Sequence, residues 1–285
     1  MARRSPPESL PLAKLRQRYL ADGRSVPRHV LAQLEDDERQ GAQALLKALR
    51  SRQADNRAEG QRLRHMLKFE TALWGEGHVH IAGVDEAGMA PLAGPICAGA
   101  AILPRGYKLK DLDDSKKILD EAKRDDLAAA VRRDAVAWAI GWASLEDIDS
   151  LNIYHAGLLA MRRAVEGLAV PPDYVLVDAR KIPGIPQPQR GIIKGDAQSL
   201  SIAAGAILAK TSRDHLLHEW DEKYPGYGFA SHKGYPTPEH LDAIARLGVL
   251  EIHRKSFTPI KKALGLIPEQ EALFELAPAK KAAQR

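Results

Sequence analysis

The sequence predicts an α/β fold: a mixed sheet flanked by helices, preceded by a helical N-terminal extension and followed by a C-terminal helical region. Two observations carry this. Between Val30 and Trp74 the only breakers are Gly41 and Gly60, and apolar residues recur at helical spacing. From residue 78 the pattern changes to apolar strands in a hairpin, then to alternating helices and strands.

The elements follow in order. Residues 1–30 are rich in Pro, Arg and Ser and read as a loose arm, with one short helix around Leu10 to Leu20. Leu31, Leu34, Ala42, Leu45, Leu46 and Leu49, then Leu63, Met66, Leu67 and Leu73, predict two helices, the second long and charged. The cluster Glu35 to Glu38 reads as a solvated first turn. His80 to Asp85 and Pro95 to Leu103 are strands joined through Gly88 to Gly94. A helix from Asp120 to Arg133 leads to a strand from Ala135 to Trp142. Asn152 to Leu168 is a strongly amphipathic helix. Tyr174 to Asp178 and Gly191 to Ile193 are short strands. Ser201 to Lys210 is a small-residue helix continuing to Trp220, and another helix follows Pro238. Glu269 to Arg285 reads as a short helix with a frayed end. The expected divisions are 1–77, a basic helical extension, 78–265, the main domain, and 266–285, a tail.

Composition narrows the function. Aromatic residues make up 5%, so the core must be mainly aliphatic. A single cysteine, Cys97, excludes an internal disulfide framework and a multi-cysteine zinc site, and its apolar strand makes it a core residue. The longest apolar run, Ala90 to Leu103, is too short and too broken to span a bilayer. No signal-peptide core follows the start. A cytoplasmic protein that does not engage membranes is expected. Net charge is +5, and residues 1–78 hold 15 basic and 10 acidic side chains, so the excess lies wholly in the extension. A basic appendage on a neutral body suits either a polyanion or a solvated helical surface.

The carboxylates carry the chemistry. Asp85 and Glu86 sit where an apolar strand runs into glycine, Asp178 ends another strand, and Asp196 follows Lys194-Gly195 at an expected helix start. Each alone suits a solvated strand end or a helix N-cap. Gathered at one sheet edge they would repel one another, and hard divalent cations would relieve that. Two such ions can activate water and stabilise the leaving oxygen of a phosphodiester.

Gly83-Val-Asp-Glu-Ala-Gly88, followed by Pro91-Leu-Ala-Gly-Pro95, closely resembles the signature of ribonuclease HII. The resemblance continues in order through Asp114-Ser-Lys-Lys117, Val177-Asp178, Lys194-Gly-Asp196, Ser201-Ile-Ala-Ala204, Ile207-Leu-Ala-Lys210, Tyr224 to Phe229, His232-Lys-Gly-Tyr235 and His253-Arg254. The segment Leu34 to Gly41 resembles the N-terminal extension of longer bacterial members. The resemblance implies a ribonuclease H-like fold and hydrolysis of RNA in RNA–DNA hybrids and at ribonucleotides embedded in duplex DNA. It implies cutting 5′ to the ribonucleotide, leaving 3′-hydroxyl and 5′-phosphate, with Mg²⁺ or Mn²⁺ in a two-metal site. The family's metal-binding acids fall on Asp85, Glu86, Asp178 and Asp196. Its substrate contacts fall on the Gly88–Ala90 loop and on Tyr235, which would stack on a sugar. Lys116, Lys194 and His232 lie beside matched motifs and are candidate substrate contacts.

One departure matters. The family loop reads Gly-Arg-Gly, and here it is Gly88-Met89-Ala90. Met89 cannot make a charge-assisted phosphate contact. A positive φ at Ala90 would cost about 1–2 kcal/mol. Losing one charged hydrogen bond costs about 1.5–3 kcal/mol, so weakened junction specificity with real cleavage is expected. An engineered recognition variant and a paralogue with another substrate preference are further readings, and a hybrid-binding protein with little cleavage is the alternative function. Gly205-Ala206 replaces the usual Ala-Ser, with little functional weight. Trp138 and Trp142 read as packing. The extension is expected to add nucleic-acid affinity. The protein is expected to be a monomer, and the tail carries no convincing motif for docking a protein partner such as a sliding clamp.

Overall fold

The computed structural model describes residues 11–113, 115 and 118–267. Lys116, Lys117 and the tail helix expected from Glu269 lie outside the described residues. The chain divides into two compact units, 1–64 and 65–285.

In the first unit, α1 (Leu12–Arg16) runs into a wider turn, Gln17–Ala21, and is followed by α2 (Arg28–Glu35) and α3 (Gln40–Met66). Leu15, Tyr19, Val30, Leu34, Ala42, Leu45 and Leu49 form its apolar core. Arg52 donates to the carbonyls of Tyr19 and Gly23, which ties down the turn after α1. Two expectations are corrected. The helical stretch to Trp74 holds three helices, because the backbone leaves helical geometry at Leu67 (φ −92°, ψ 11°) before α4 (Lys68–Gly75). The acidic cluster closes α2 and links it to α3; Asp37 accepts from the Arg39 backbone N–H at 3.0 Å and from its guanidinium.

The second unit is built on a five-stranded sheet in the order β3-β2-β1-β4-β5. The strands are β1 (Ile81–Ala87), β2 (Ile96–Ile102), β3 (Ala137–Ala143), β4 (Tyr174–Asp178) and β5 (Gln189–Ile192). β1, β2 and β3 form an antiparallel meander, while β4 lies parallel to β1 and β5 parallel to β4. The sheet is therefore mixed, as expected. β3 starts two residues later than the pattern suggested, since Ala135 caps the end of α5 (Glu121–Asp134).

Helices cover both faces. α6 (Leu145–Leu151), not foreseen, starts at a capping box in which Ser144 and Asp147 satisfy each other's backbone N–H. α7 (Ile153–Glu166) is capped by Asn152, whose side chain accepts from Tyr154 and His155. Its Ala156, Ala160, Met161 and Ala164 pack on Val84, Ala98, Ala100, Val175 and Val177. Strand alternation turns Gly83 and Gly99 to the opposite face, where α8 (Leu200–Lys223) lies. The approach is so close that a Cβ at Gly83 would fall 2.0 Å from the Ser201 carbonyl carbon, and one at Gly99 would fall 2.2 Å from the Gly205 oxygen. Gly205 is the matching gap on the helix, since its own Cβ would sit 2.6 Å from the Gly99 oxygen. The Gly205 departure is thus a packing feature. Three short helices, α9 (Phe229–His232), α10 (Pro238–Leu247) and α11 (Thr258–Ala263), complete the unit around Tyr227, Phe229 and Ile244. Cys97 is fully buried in β2, and burial pushes its thiol far above the ordinary range. Trp138 packs outward, donating to the Arg132 carbonyl at 3.1 Å. Among the described residues no helix is long and apolar enough to cross a membrane.

Candidate active site

β1 and β4 are parallel neighbours whose pairing ends at Val84 and Val177, so Asp85, within β1, and Asp178, at the end of β4, follow side by side. Such carboxyl ends are where open sheets place ligand sites. Glu86 follows Asp85 and turns to the α7 face by strand alternation. Asp196 sits in a single tight turn, Gly195–Ala197, after Lys194 in left-handed backbone (φ 53°, ψ 48°). Gly195 N–H donates to Asp178 Oδ1 at 2.6 Å, which fastens this turn to the end of β4. Asp196 does not cap α8. Ser199 does, accepting from Ile202 N–H at 3.2 Å, because α8 begins only at Leu200.

The electrostatics register this convergence. Asp85, only 5% exposed, has its carboxyl pushed well above the ordinary range, first by burial, then by Glu86, Asp178 and Asp196. Burial also raises Glu86; the Arg180 guanidinium opposes that rise and Asp178 adds to it. Arg180 Nη2 lies 3.1 Å from Glu86 Oε1, while Glu86 Oε2 is buried without a hydrogen-bond donor. An all-oxygen, like-charged donor set with an orphaned buried oxygen fits a hard divalent cation. Among the described residues no three such side chains are already closed around one point. The carboxylates are electrostatic neighbours, with Arg180 on one of them.

A cleft of about 300 Å³ is lined by two of the acids, Asp85 and Glu86, with Gly88, Met89, Ala90, Arg180, Lys210, Arg213 and Tyr235 among others, while Asp178 and Asp196 are not in its lining. Tyr235 is 41% exposed here. Gly88 has φ +93°, and its backbone approaches Arg213 so closely that a Cβ would fall 2.3 Å from Nε. Ala90 is not among the residues with positive φ, so the backbone strain considered for it does not arise. Met89 folds inward against the α7 side of the core. Lys194 is exposed beside the Asp196 turn. His232 is outside the cleft lining: its Nε2 bonds the Tyr227 carbonyl at 2.7 Å and its Nδ1 accepts from Gly234 N–H at 3.1 Å.

Four functional features escape sequence reasoning. Arg254, fully buried, donates to the carbonyls of Gly88, Met89 and Gly94. Arg213 donates to those of Ala93, Pro95 and Lys233. Two buried guanidiniums thus hold the loop between β1 and β2. Glu70, on α4 and fully buried, accepts from Ser199 Oγ at 2.6 Å and Ser201 N–H at 3.0 Å, bracing the start of α8 behind Asp196. Arg180 joins the acids themselves. Arg213 and Arg254 lie in matched motifs, but nothing in the sequence showed that they are buried anchors, and Glu70 and Arg180 carried no signal beyond their charge.

Comparison with known proteins agrees with this architecture. The family model "Ribonuclease HII" matches residues 82–260, and "Ribonuclease HII N-terminal domain" matches residues 16–74. Ribonuclease HII of Myxococcus xanthus (strain DK1622) is 63% identical over 255 residues, covering 90% of this chain and 87% of its own. That of Anaeromyxobacter sp. (strain Fw109-5) is 54% identical over 267 residues, covering 94% and 84%. The crystal structure of the ribonuclease H2 from Pyrococcus horikoshii OT3 superposes with a TM-score of 0.55 at 21% identity, over 66% of this chain and 98% of its own. That likeness makes the fold ribonuclease H-like. With its catalytic-domain and N-terminal models both matched in order, the chain belongs to the ribonuclease HII family.

Proposed function

We propose that this endoribonuclease hydrolyses RNA paired to DNA and cuts duplex DNA 5′ to an embedded ribonucleotide, leaving a 3′-hydroxyl and a 5′-phosphate. Asp85, Glu86, Asp178 and Asp196 would hold two divalent cations, Mg²⁺ or Mn²⁺. The observation that carries the assignment is the raised Asp85 carboxyl, on which three other acids from three chain segments act at once. Bound there, such ions would lower the pKa of a water and stabilise a leaving oxygen. Asp85 and Asp178 would bridge or hold both ions, and Glu86 and Asp196 would complete their shells.

Tyr235, exposed at the cleft, would stack on a sugar or base. The backbone of Gly88, Met89 and Ala90 would meet the ribose, held rigid by Arg254. Lys116 and Lys194 would take phosphates, and His232 would act by holding the Tyr235 loop. Junction reading is weakened because Met89 offers no cation and turns into the core, not through strain at Ala90. Residues 1–77 would add sequence-independent affinity to a catalytic domain of residues 78–265, with 266–285 as a tail. The chain would act as a cytoplasmic monomer.

The test is cleavage of two labelled duplexes, one with a single embedded ribonucleotide and one a long RNA–DNA hybrid, with Mg²⁺ or Mn²⁺. The original chain should cut both. The combined Met89→Arg and Ala90→Gly exchange should improve the single-ribonucleotide substrate about tenfold, the worth of one charged hydrogen bond. Absence of cutting by either protein with either ion would leave hybrid binding as the function.

A further inference from the structure

On the proposed function the cleft receives a polyanion, yet two carboxylates, Asp85 and Glu86, line it. Among the described residues three cations line it, Arg180, Lys210 and Arg213. Two are committed. Arg213 spends Nε, Nη1 and Nη2 on three backbone carbonyls. Lys210 Nζ lies 2.7 Å from Asp214 Oδ1. Arg180 differs: Nη2 pairs with Glu86, and Nη1 is buried with no hydrogen-bond partner. A buried donor left unmade is costly, so this placement is a resting one that a better acceptor can draw away.

The backbone aims Arg180 at this spot. Ala179 takes left-handed geometry (φ 51°), which is unfavourable for alanine, and its N–H donates to the Ile192 carbonyl at 2.9 Å. Gly191 lets the turn close, since a Cβ there would fall 2.6 Å from the Arg180 oxygen. The bend at Ala179 thus sets Arg180 beside Glu86. The guanidinium carbon lies 5.2 Å from the Tyr154 ring centroid, and Tyr154 is half exposed. This gives the arginine a platform to slide along. Met89 shares the same wall: a Cβ at Gly157 would be 3.0 Å from both Met89 Sδ and Arg180 Nη1. A neutral side chain at 89 leaves Arg180 without a competing cation beside it.

We propose that Arg180 is an exchangeable counter-ion, which neutralises Glu86 in the absence of metal and turns to a nucleic-acid backbone phosphate when a divalent cation takes that carboxylate. The inference rests on the metal-site reading above. A guanidinium suits the second role because it forks onto phosphate oxygens.

The exchange has a signature with two opposite signs. Full-length wild type, Arg180→Met and Arg180→Gln are titrated with Mn²⁺ alone by calorimetry. Separately, KM and its salt dependence are measured on the single-ribonucleotide duplex. Both variants should bind Mn²⁺ about tenfold more tightly, having lost a competing charge. Both should show KM raised about tenfold, and a log–log salt slope smaller by about one phosphate contact. Thermal melting checks folding, and Arg180→Gln is read if the methionine variant does not fold. Unchanged or weaker Mn²⁺ binding in the variants, or an unchanged salt slope, overturns the exchange. Failure of the wild type itself to take up Mn²⁺ overturns the metal-site reading and this inference with it.

Discussion

Arg254 reaches back across 166 residues to donate from Nη2 to the Gly88 carbonyl at 2.6 Å. Nη1 takes the Met89 carbonyl at 3.1 Å and Nε that of Gly94 at 2.8 Å, so one buried fork fastens both ends of the loop that borders the acids. Arg254→Met should therefore cost about 3–4 kcal/mol, since it strands several buried carbonyls. Arg254→Lys should recover little, because an ammonium cannot reproduce the fork. Urea unfolding measures both; a loss below about 1 kcal/mol contradicts the anchoring role.

The Asp85 carboxyl is held up first by burial and then by three other carboxylates, so an ion that binds them should stabilise the folded chain. With Mn²⁺ at 100 times its Kd the gain is about 2.7 kcal/mol, read as a higher Tm that EDTA reverses. Asp178→Asn should abolish cleavage and most of this shift, while raising stability without metal by about 0.5–1 kcal/mol through relieved repulsion. A metal-induced shift equal in wild type and Asp178→Asn would place the ion elsewhere.

Two buried histidines, His240 and His253, brace the Tyr235 loop. Leu250 N–H donates to His253 Nδ1, His253 Nε2 bonds His240 Nε2 at 3.1 Å, and His240 Nδ1 bonds the Tyr235 carbonyl at 2.9 Å. Burial drives His240 and His253 down to about 4. Unfolded histidines titrate near 6.5, so between those values the unfolded state binds more protons. Stability should be full above about pH 6.5 and fall as pH drops towards 4, by at most about 1.4 kcal/mol per pH unit for each histidine. Melting curves from about pH 7 to about pH 4.5 test this; a flat profile contradicts it.

Burial raises the Glu70 carboxyl above its ordinary range, and its Oε2 has no hydrogen-bond donor. Glu70→Gln keeps the acceptor for Ser199 and Ser201 and removes the buried charge. It should match or exceed wild type in stability above neutral pH. Glu70→Ala should lose about 2–3 kcal/mol and, by freeing the start of α8 behind Asp196, lower cleavage as well. Equal losses in both variants would show that the charge itself is required.

The placement of Asp85, Glu86 and Asp178 on apolar strands was readable from the sequence because the runs are apolar and the ordered motifs around them are distinctive. Most helices followed from apolar spacing. What escaped lies in contacts between distant segments. Nothing local to Arg254 or Glu70 tells a buried anchor from a surface charge. The break at Leu67 has no glycine or proline to announce it. Met89 could be read as a lost cation, but only its position beside Gly157 shows the side chain folded away from the loop. Lys194 illustrates the limit from the other side, since a lysine in left-handed backbone is visible only in coordinates.

The glycine seam between α8 and the sheet also bears on when the four acids can meet during synthesis. Asp196 and the helix behind it leave the ribosome 111 residues after Asp85. Gly83 and Gly99 stay exposed on their strands until α8 arrives to fill them. A growing chain, or a fragment cut before α8, carries the acids of β1 and β4 but has nothing to hold Asp196 against them. If the four acids act together as proposed, a fragment ending before α8 should not cleave, and cleavage by such a fragment would contradict that reading.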